Sequence, residues 1–126
     1  MIIQMNLNPS PFEFIKSGQK TIEMRLYDEK RRLININDII EFTNNKTKEK
    51  ITCRVIGLHV YDSFKRLYEL FDKTLLGYLP NEDAHYLDME AYYKDEDIKK
   101  YGVVGIEIEV INTLDVDVYY QMIQKL

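Results

Sequence analysis

The chain has 126 residues, of which 45% are hydrophobic and 30% charged, and its formal net charge is −4. This composition is typical of a single folded globular domain over residues 1–126; it excludes a disordered chain, and the negative charge argues against broad binding to polyanions. No apolar run approaches the roughly 20 residues that span a bilayer, and the N-terminus lacks the basic and apolar segments of an export signal, so we expect a cytoplasmic protein without a membrane partner.

Strand patterns dominate the first half of the chain. Hydrophobic patterning and β-branched residues predict strands over residues 1–7, 21–27, 39–42 and 51–60. Between the first two strands we expect a short helix with Ser10 as its N-cap, Pro11 at its first position and Gly18 as a left-handed C-cap. Asn37 and Asp38 supply turn chemistry before the third strand.

The single cysteine of the chain, Cys53, lies in the last of these strands. A lone cysteine forms no internal disulfide, which suits a reducing cytoplasm. Because Ile51, Thr52 and Val55 surround it with apolar and β-type neighbours, we expect a buried strand residue and not a nucleophile.

The second half alternates helical and extended patterns. Asp62 or Ser63 is expected to cap a helix with one apolar face, made of Phe64, Leu67, Tyr68 and Phe71. Helical turns are predicted around residues 82–93 and 96–101, and a strand over residues 103–110 with inward residues Val104, Ile106, Ile108 and Val110. A last helix is expected over residues 115–126, with inward residues Tyr119, Met122, Ile123 and Leu126. Short, mostly antiparallel strands with helices inserted between them predict an α+β fold, a small closed or nearly closed β-barrel.

The most informative segment is the strand predicted over residues 21–27, in which apolar residues alternate with Thr21, Glu23 and Arg25. Because strand side chains alternate between two faces, these three share the face opposite the apolar set. Lys20 stands where the chain enters the strand. Two interpretations stay open: a solvated surface pair, which contributes roughly 0–1 kcal/mol, or a cation–anion–cation group that meets a polar ligand.

Charge is unevenly divided along the chain. Residues 1–66 carry a balance of +4 and residues 67–126 a balance of −8. Such a division indicates either a basic face that can meet phosphates beside an acidic face, or simply two solvated surfaces. The sequence therefore still allows a site for a small anionic ligand even though the whole chain is acidic.

Four ordered motifs span nearly the whole chain: Gly18-x-Lys20-x-x-Glu23-x-Arg25, Asp28-x-Lys30-Arg31-Arg32, Asp38-Ile39-Ile40-Glu41-Phe42 and Tyr101-Gly102-Val103-Val104-Gly105-Ile106. Together they resemble the ASCH domain family, a branch of the PUA-like β-barrels. Asn37 stands where that family usually has glycine, and asparagine tolerates the left-handed conformation of such a turn. The resemblance implies a PUA-like barrel with an RNA- or nucleoside-binding cleft beside the first motif, and a role in translation or RNA metabolism.

Binding is the leading functional interpretation. Arg25 offers a planar fork for a phosphate or a base edge, Lys20 adds a point charge, and Glu23 can accept from an exocyclic amine. Arg32 can extend the basic surface, and tyrosines such as Tyr27, Tyr92 and Tyr93 can stack on a base. The expected ligand-binding residues are Lys20, Glu23, Arg25, Arg32 and Tyr93.

An enzyme is the main alternative. One branch of the family hydrolyses N4-acetylcytidine with a lysine, a threonine and a glutamate, and Lys20 matches that lysine. Glu23 stands where the branch has its threonine, so the nucleophile position does not carry over. The alternative is an amidohydrolase of N-acylated modified nucleosides with Lys20, Glu23 and Thr21 as candidate catalytic residues. A protein-interaction module that uses the acidic second half is a further alternative.

Metal and cofactor chemistry are not expected. His59 and His85 have no partner histidine or cysteine at ligand spacing. The acidic run Asp95-Glu96-Asp97 lacks the pattern of a calcium loop. We therefore predict structural roles for these residues.

Overall fold

The structure, a computed structural model, describes residues 1–111 together with Gln121 and Gln124. Its strands are β1 (Ile2–Leu7), β2 (Ile22–Leu26), β3 (Ile39–Asn44), β4 (Lys50–Tyr61) and β5 (Val103–Ile111). Its α-helices are α1 (Pro9–Lys16), α2 (Phe64–Leu70) and α3 (Asp95–Tyr101), and short 3₁₀ helices span Arg31–Leu33 and Tyr86–Ala91. Apart from Gln121 and Gln124, the last predicted helix lies outside the described residues, as do its inward residues Tyr119, Met122, Ile123 and Leu126.

The described strands form one sheet in the order β1-β3-β4-β5-β2. β1 pairs with β3 in parallel, and the other three pairs are antiparallel. The sheet curls into a half-barrel whose two edges are β1 and β2. The α+β fold with a mostly antiparallel, barrel-like sheet that the sequence predicts is thereby confirmed.

Both faces of β2 are covered by protein. Ile22 and Met24 are buried in an apolar cluster that includes Phe64 and Leu67 of α2. Glu23 points to the opposite side by strand alternation, yet it is only 5% exposed. The predicted alternation is present, but its polar face lies inside the fold and not in water.

A separate apolar cluster lies between α1 and the sheet. Phe12 and Ile15 of α1 are buried in it together with Cys53 of β4. Burial raises the pKa of the Cys53 thiol to about 12, because the thiolate would lose its hydration. Cys53 is therefore a protonated, unreactive strand residue at neutral pH, as predicted.

The start of α1 differs from the prediction. The helix begins at Pro9 with Asn8 as its N-cap, so the assignment of Ser10 as the cap and Pro11 as the first helical residue was wrong. The reason is that Pro9 already has the backbone geometry and the missing N–H that suit the first helical position. The end of the helix follows the prediction, since Gly18 has a φ of +86° just after the last turn.

One inward residue of β5 was also wrongly predicted. Val104 and Ile106 are fully buried, whereas Val110 is 44% exposed. Val110 lines an open depression of about 400 Å³ beside the C-terminal end of α1, where Lys16 lies. This depression leaves the side chain of Val110 accessible to solvent.

The cap of α2 settles the choice between the two predicted residues. The hydroxyl oxygen of Ser63 accepts a hydrogen bond from the N–H of Arg66 at 3.2 Å, so Ser63 is the N-cap. Phe64 and Leu67 form the buried face of the helix. No helix within the described part of the chain is long and apolar enough to cross a membrane.

Candidate ligand-binding site

Backbone hydrogen bonds fix the start of β2 against the turn around Leu75. The N–H groups of Thr21 and Ile22 both donate to the carbonyl oxygen of Leu75, at 3.0 and 3.1 Å. The N–H of Lys20 donates to the carbonyl oxygen of Phe14 in α1 at 3.0 Å. The chain is thus held on both sides where it enters the strand, and Lys20 is only 7% exposed.

Lys20, Glu23 and Arg25, called the trio below, form one connected group of charges. Lys20 Nζ lies 3.2 Å from Glu23 Oε1, and Arg25 donates to Glu23 Oε2 through Nε at 3.1 Å and Nη2 at 2.8 Å. Lys20 Nζ also donates to the carbonyl oxygen of Leu76 at 3.1 Å. Arg25 Nη2 donates to the carbonyl oxygen of Asn6 in β1 at 3.1 Å. Arg25 therefore links the two edge strands of the half-barrel.

The carboxylate of Glu23 is ionised at neutral pH. Burial alone would raise its pKa, but the charges of Lys20 and Arg25 and their hydrogen bonds hold that pKa below its ordinary value. Burial also acts to lower the pKa of Arg25, and the neighbouring Glu23 outweighs this effect, so that the pKa is raised. The site thus presents an acceptor carboxylate fixed between two cationic side chains.

The trio lines a cavity of about 300 Å³ between the edge strands, called the site cavity below. Its other lining residues include three amide side chains, a thioether and two phenols, from Asn6, Asn8, Asn45, Met89, Tyr92 and Tyr93. This volume is at the lower end of the range for small-molecule sites, roughly 300–1,000 Å³, and suits a ligand of one or two rings. Within the described contacts, Arg25 uses Nε and Nη2, which leaves Nη1 for a ligand.

The two tyrosines of the site cavity differ in what they can offer. Tyr93 stacks one ring face on Phe64, with centroids 5.7 Å apart. Burial raises the pKa of Tyr93, with the nearby charge of Arg25 acting in the opposite sense. Tyr92 is 67% exposed at the rim. A flat ligand can therefore stack on Tyr92, whereas Tyr93 offers at most one ring face and its hydroxyl group.

Two residues that the sequence assigns to the site lie elsewhere. Thr21 lines the depression beside the end of α1, which Lys20 also borders, and not the site cavity. Arg32 lines a separate depression of about 460 Å³, called the Arg32 depression below. There its Nη2 donates to the carbonyl oxygen of Tyr101 at 3.0 Å. The structure brings together four of the predicted site residues, namely Lys20, Glu23, Arg25 and Tyr93.

Sequence patterns did not single out the asparagines of the site cavity. Asn8 follows β1 and Asn45 follows β3, and the parallel register that pairs Leu7 with Asn44 brings these two strand ends together. The side-chain amide of Asn45 donates to Asn8 Oδ1 at 3.2 Å. Asn8 directly follows the strand predicted over residues 1–7, but Asn45 lies three residues beyond the strand predicted over residues 39–42. The link between the two asparagines becomes visible only when the strands are known to be parallel neighbours.

The position of Lys20 depends on a glycine far away in the sequence. Gly77 has a φ of +106°, and a Cβ atom built there would lie 3.1 Å from Lys20 Cδ. We expect Gly77→Ala to lower the free energy of unfolding by about 1–3 kcal/mol through backbone strain and also to weaken ligand binding, because the new methyl group displaces the lysine stem. Urea denaturation and a binding titration measure the two effects.

Gly18→Ala is the matched control for this prediction. Gly18 also has a positive φ, +86°, but a Cβ atom there would meet nothing within 4 Å. Gly18→Ala should lower the free energy of unfolding by a similar amount and leave ligand binding unchanged. Equal binding by the two variants would show that Gly77 does not position Lys20.

The described residues contain no group of three or more His, Cys, Asp or Glu side chains that can hold a metal ion. His59 Nε2 lies 2.8 Å from Glu107 Oε1, and His85 Nδ1 accepts from the N–H of Leu87 at 3.1 Å. Both rings thus have protein partners.

Comparison with known proteins identifies a family and several solved structures that this chain resembles. The ASCH domain family matches residues 5–112. The chain is similar to the solved structure of hypothetical protein PH0355, with 41% sequence identity and a TM-score of 0.74 over 88% of this chain and 100% of that chain. It is also similar to protein PF0455 from Pyrococcus furiosus, with 39% identity and a TM-score of 0.67 over 89% of this chain and 99% of that chain. No curated protein matches the chain.

A more distant likeness concerns the fold alone. The crystal structure of ASCH from Zymomonas mobilis has 15% sequence identity and a TM-score of 0.61 to this chain, and the match covers 89% of this chain and 73% of that chain. The curled half-barrel with inserted helices is thus shared with a protein of very different sequence, and the PUA-like architecture is confirmed.

Proposed function

Since the chain belongs to the ASCH domain family, which has a PUA-like fold and is thought to bind RNA, we propose that it binds an unpaired nucleotide of RNA, or a free nucleoside or nucleotide, in the site cavity. The observation that carries this proposal is the burial of the trio at the cavity wall, where Lys20 and Glu23 are 7% and 5% exposed. Buried ion pairs contribute little to stability, because desolvation offsets the attraction between the charges. Binding of a polar ligand therefore explains the burial of these charged side chains better than a contribution to stability does.

The groups around the site cavity suit the parts of a nucleotide. Arg25 Nη1 and a remaining N–H of Lys20 can bind a phosphate or a carbonyl oxygen of a base. Glu23 is an acceptor of the kind that pairs with an exocyclic amine, such as that of cytosine. The asparagine amides can pair with a base edge, and the exposed ring of Tyr92 can stack on the base.

We expect Arg25→Gln to weaken binding of single-stranded RNA roughly 10- to 100-fold, because a charge-assisted hydrogen bond is worth about 1.5–3 kcal/mol. The salt dependence should fall as well, since removal of one phosphate contact lowers the slope of log K against log salt by about 0.7 for single strands. Fluorescence anisotropy with a labelled RNA of about eight nucleotides, together with competition by the four nucleoside monophosphates, measures both quantities.

Arg66→Gln is the matched control, because Arg66 is an exposed arginine that also pairs with a glutamate, Glu69, at 3.2 Å. It should bind RNA like the wild-type protein. If wild type binds neither RNA nor any of the monophosphates, the proposed function fails. If it also releases no acetate from N4-acetylcytidine, the protein-interaction module is the alternative that remains. If the two arginine variants bind equally, the trio is not the binding site.

Hydrolysis of N-acylated modified nucleosides is the second candidate function. It is favoured by the Lys20–Glu23 contact of 3.2 Å at the cavity wall, since an ionised carboxylate can accept a proton from an attacking water. Thr21 does not line the site cavity with Glu23, so the geometry gives no support to a threonine nucleophile that Glu23 activates. Release of acetate from N4-acetylcytidine, lost in Lys20→Ala, would establish this function. Binding of that nucleoside without turnover would contradict it.

A further inference from the structure

We infer that the Arg32 depression is a second RNA-binding surface that continues the site cavity, so that the ligand is a segment of single-stranded RNA and not an isolated nucleoside. This inference rests on the proposed function and specifies the class of its ligand. The observations that carry it are the local charge of the depression, the way its cations are held, and its distance from the trio.

The Arg32 depression is basic although the chain is acidic. Its described lining residues include three cations, Arg32, Lys99 and Lys100, and one carboxylate, Asp62. Lys99 is paired with Asp95 at 3.0 Å. Arg32 and Lys100 are therefore the two cations that can meet phosphates here, although the chain as a whole has a net charge of −4.

Tyrosine rings hold both cations in place. The guanidinium carbon of Arg32 lies 4.3 Å from the centroid of the Tyr27 ring, and Lys100 Nζ lies 4.9 Å from that of Tyr101. Cations fixed over aromatic faces lose less side-chain entropy when a phosphate binds. Cations interleaved with aromatic rings are typical of the surfaces that follow the phosphates of a single strand.

The two surfaces lie side by side along the same strand. Tyr27 follows Arg25 by two residues, and its N–H donates to the carbonyl oxygen of Gly102 at 3.0 Å, which continues the pairing of β2 with β5. Residues two apart in an extended chain share a face and lie roughly 7 Å from each other. An extended strand can bridge this distance in about one nucleotide step, so a base in the site cavity would place the next phosphates over the Arg32 depression.

A length series of RNA ligands tests the inference. Wild type should bind a labelled single strand of about eight nucleotides at least 10-fold more tightly than a nucleoside monophosphate. In the double variant Arg32→Gln/Lys100→Gln, RNA binding should weaken roughly 10-fold, and the salt slope should fall by about 1.4, as expected for two lost phosphate contacts on a single strand. Binding of the monophosphate should be unchanged, because the trio is intact.

The matched control removes two cations from another surface. Lys65 and Arg66 are neighbouring exposed residues of α2, and Lys65→Gln/Arg66→Gln should bind both ligands like wild type. Circular dichroism and thermal unfolding of both double variants check that each is folded. The inference is overturned if length brings no gain in affinity, or if the two double variants behave alike. The proposed function fails separately, when wild type binds neither the RNA nor the monophosphates.

Discussion

Glu23→Ala is expected to lower the free energy of unfolding by about 3–5 kcal/mol, because it leaves two cations in a buried site without their counter-charge. Lys20 and Arg25 both contact this carboxylate within 3.2 Å, and the exposed fractions of their side chains are 8% and 16%. For a domain of this size the change corresponds to a fall in Tm of roughly 10–20 °C. Urea and thermal denaturation measure it.

An exposed carboxylate provides the control. Glu69 pairs with Arg66 at 3.2 Å, but its side chain is 48% exposed, so Glu69→Ala should change stability by less than about 1 kcal/mol. A loss in Glu23→Ala as small as that in Glu69→Ala would show that water solvates the trio, and the case for a buried site would be lost with it.

The same residue sets a pH dependence of stability. In the folded protein the pKa of Glu23 lies below its ordinary value, whereas in the unfolded chain a glutamate has a pKa of about 4.3. The stability that a lowered pKa contributes is fully present at pH values above the pKa of the unfolded chain. It is lost as the pH falls through the pKa of the folded protein. The urea midpoint of wild type should therefore exceed that of Glu23→Gln at pH 7 and approach it in acid. A constant difference at every pH would contradict this.

The location of the site on β2 is predictable from the sequence, but the burial of its charged face is not. The alternation of Glu23 and Arg25 with apolar residues is a local property of the strand. In the structure Ile22 and Met24 join an apolar cluster, and Glu23 and Arg25 line the site cavity. Whether the polar face meets water is decided by segments distant in the sequence. The turn that carries Leu76 and Gly77 closes over Lys20, and β1 supplies the carbonyl oxygen of Asn6 that Arg25 contacts. No local pattern encodes these contacts.

Placement of the remaining predicted residues also depends on tertiary structure. Thr21 precedes β2, where its backbone is bonded to the turn around Leu75, and it lines a different depression from Glu23. Arg32 belongs to a short 3₁₀ helix that directs it to the carbonyl oxygen of Tyr101 at the end of α3. Strand alternation and local charge indicate which residues can bind a ligand. The direction in which their side chains point is decided by irregular turns, and these follow no period that can be read from the sequence.

The variant Lys20→Met/Glu23→Leu/Arg25→Met separates a structural role of the trio from a functional one. Replacing a whole buried charge group with apolar residues of similar size is often neutral or stabilising by about 1–4 kcal/mol, in contrast to removal of one member. The carbonyl oxygens of Leu76 and Asn6 lose their donors, which opposes the gain by about 1–3 kcal/mol for each one that stays dry. We expect stability within about 2 kcal/mol of wild type, and clearly above that of Glu23→Ala.

Binding should respond in the opposite way. The apolar variant keeps the fold and the tyrosines of the site cavity but loses every charged group of the trio, so we expect affinity for RNA and for nucleoside monophosphates to fall at least about 100-fold, or 2.7 kcal/mol. Fluorescence anisotropy titrations measure the affinity, and urea denaturation measures the stability of the same variant. A variant that is as unstable as Glu23→Ala would show that these charges are needed to stabilise the fold. A stable variant that no longer binds would show that three charged residues are kept out of water because the ligand, and not the fold, needs them there.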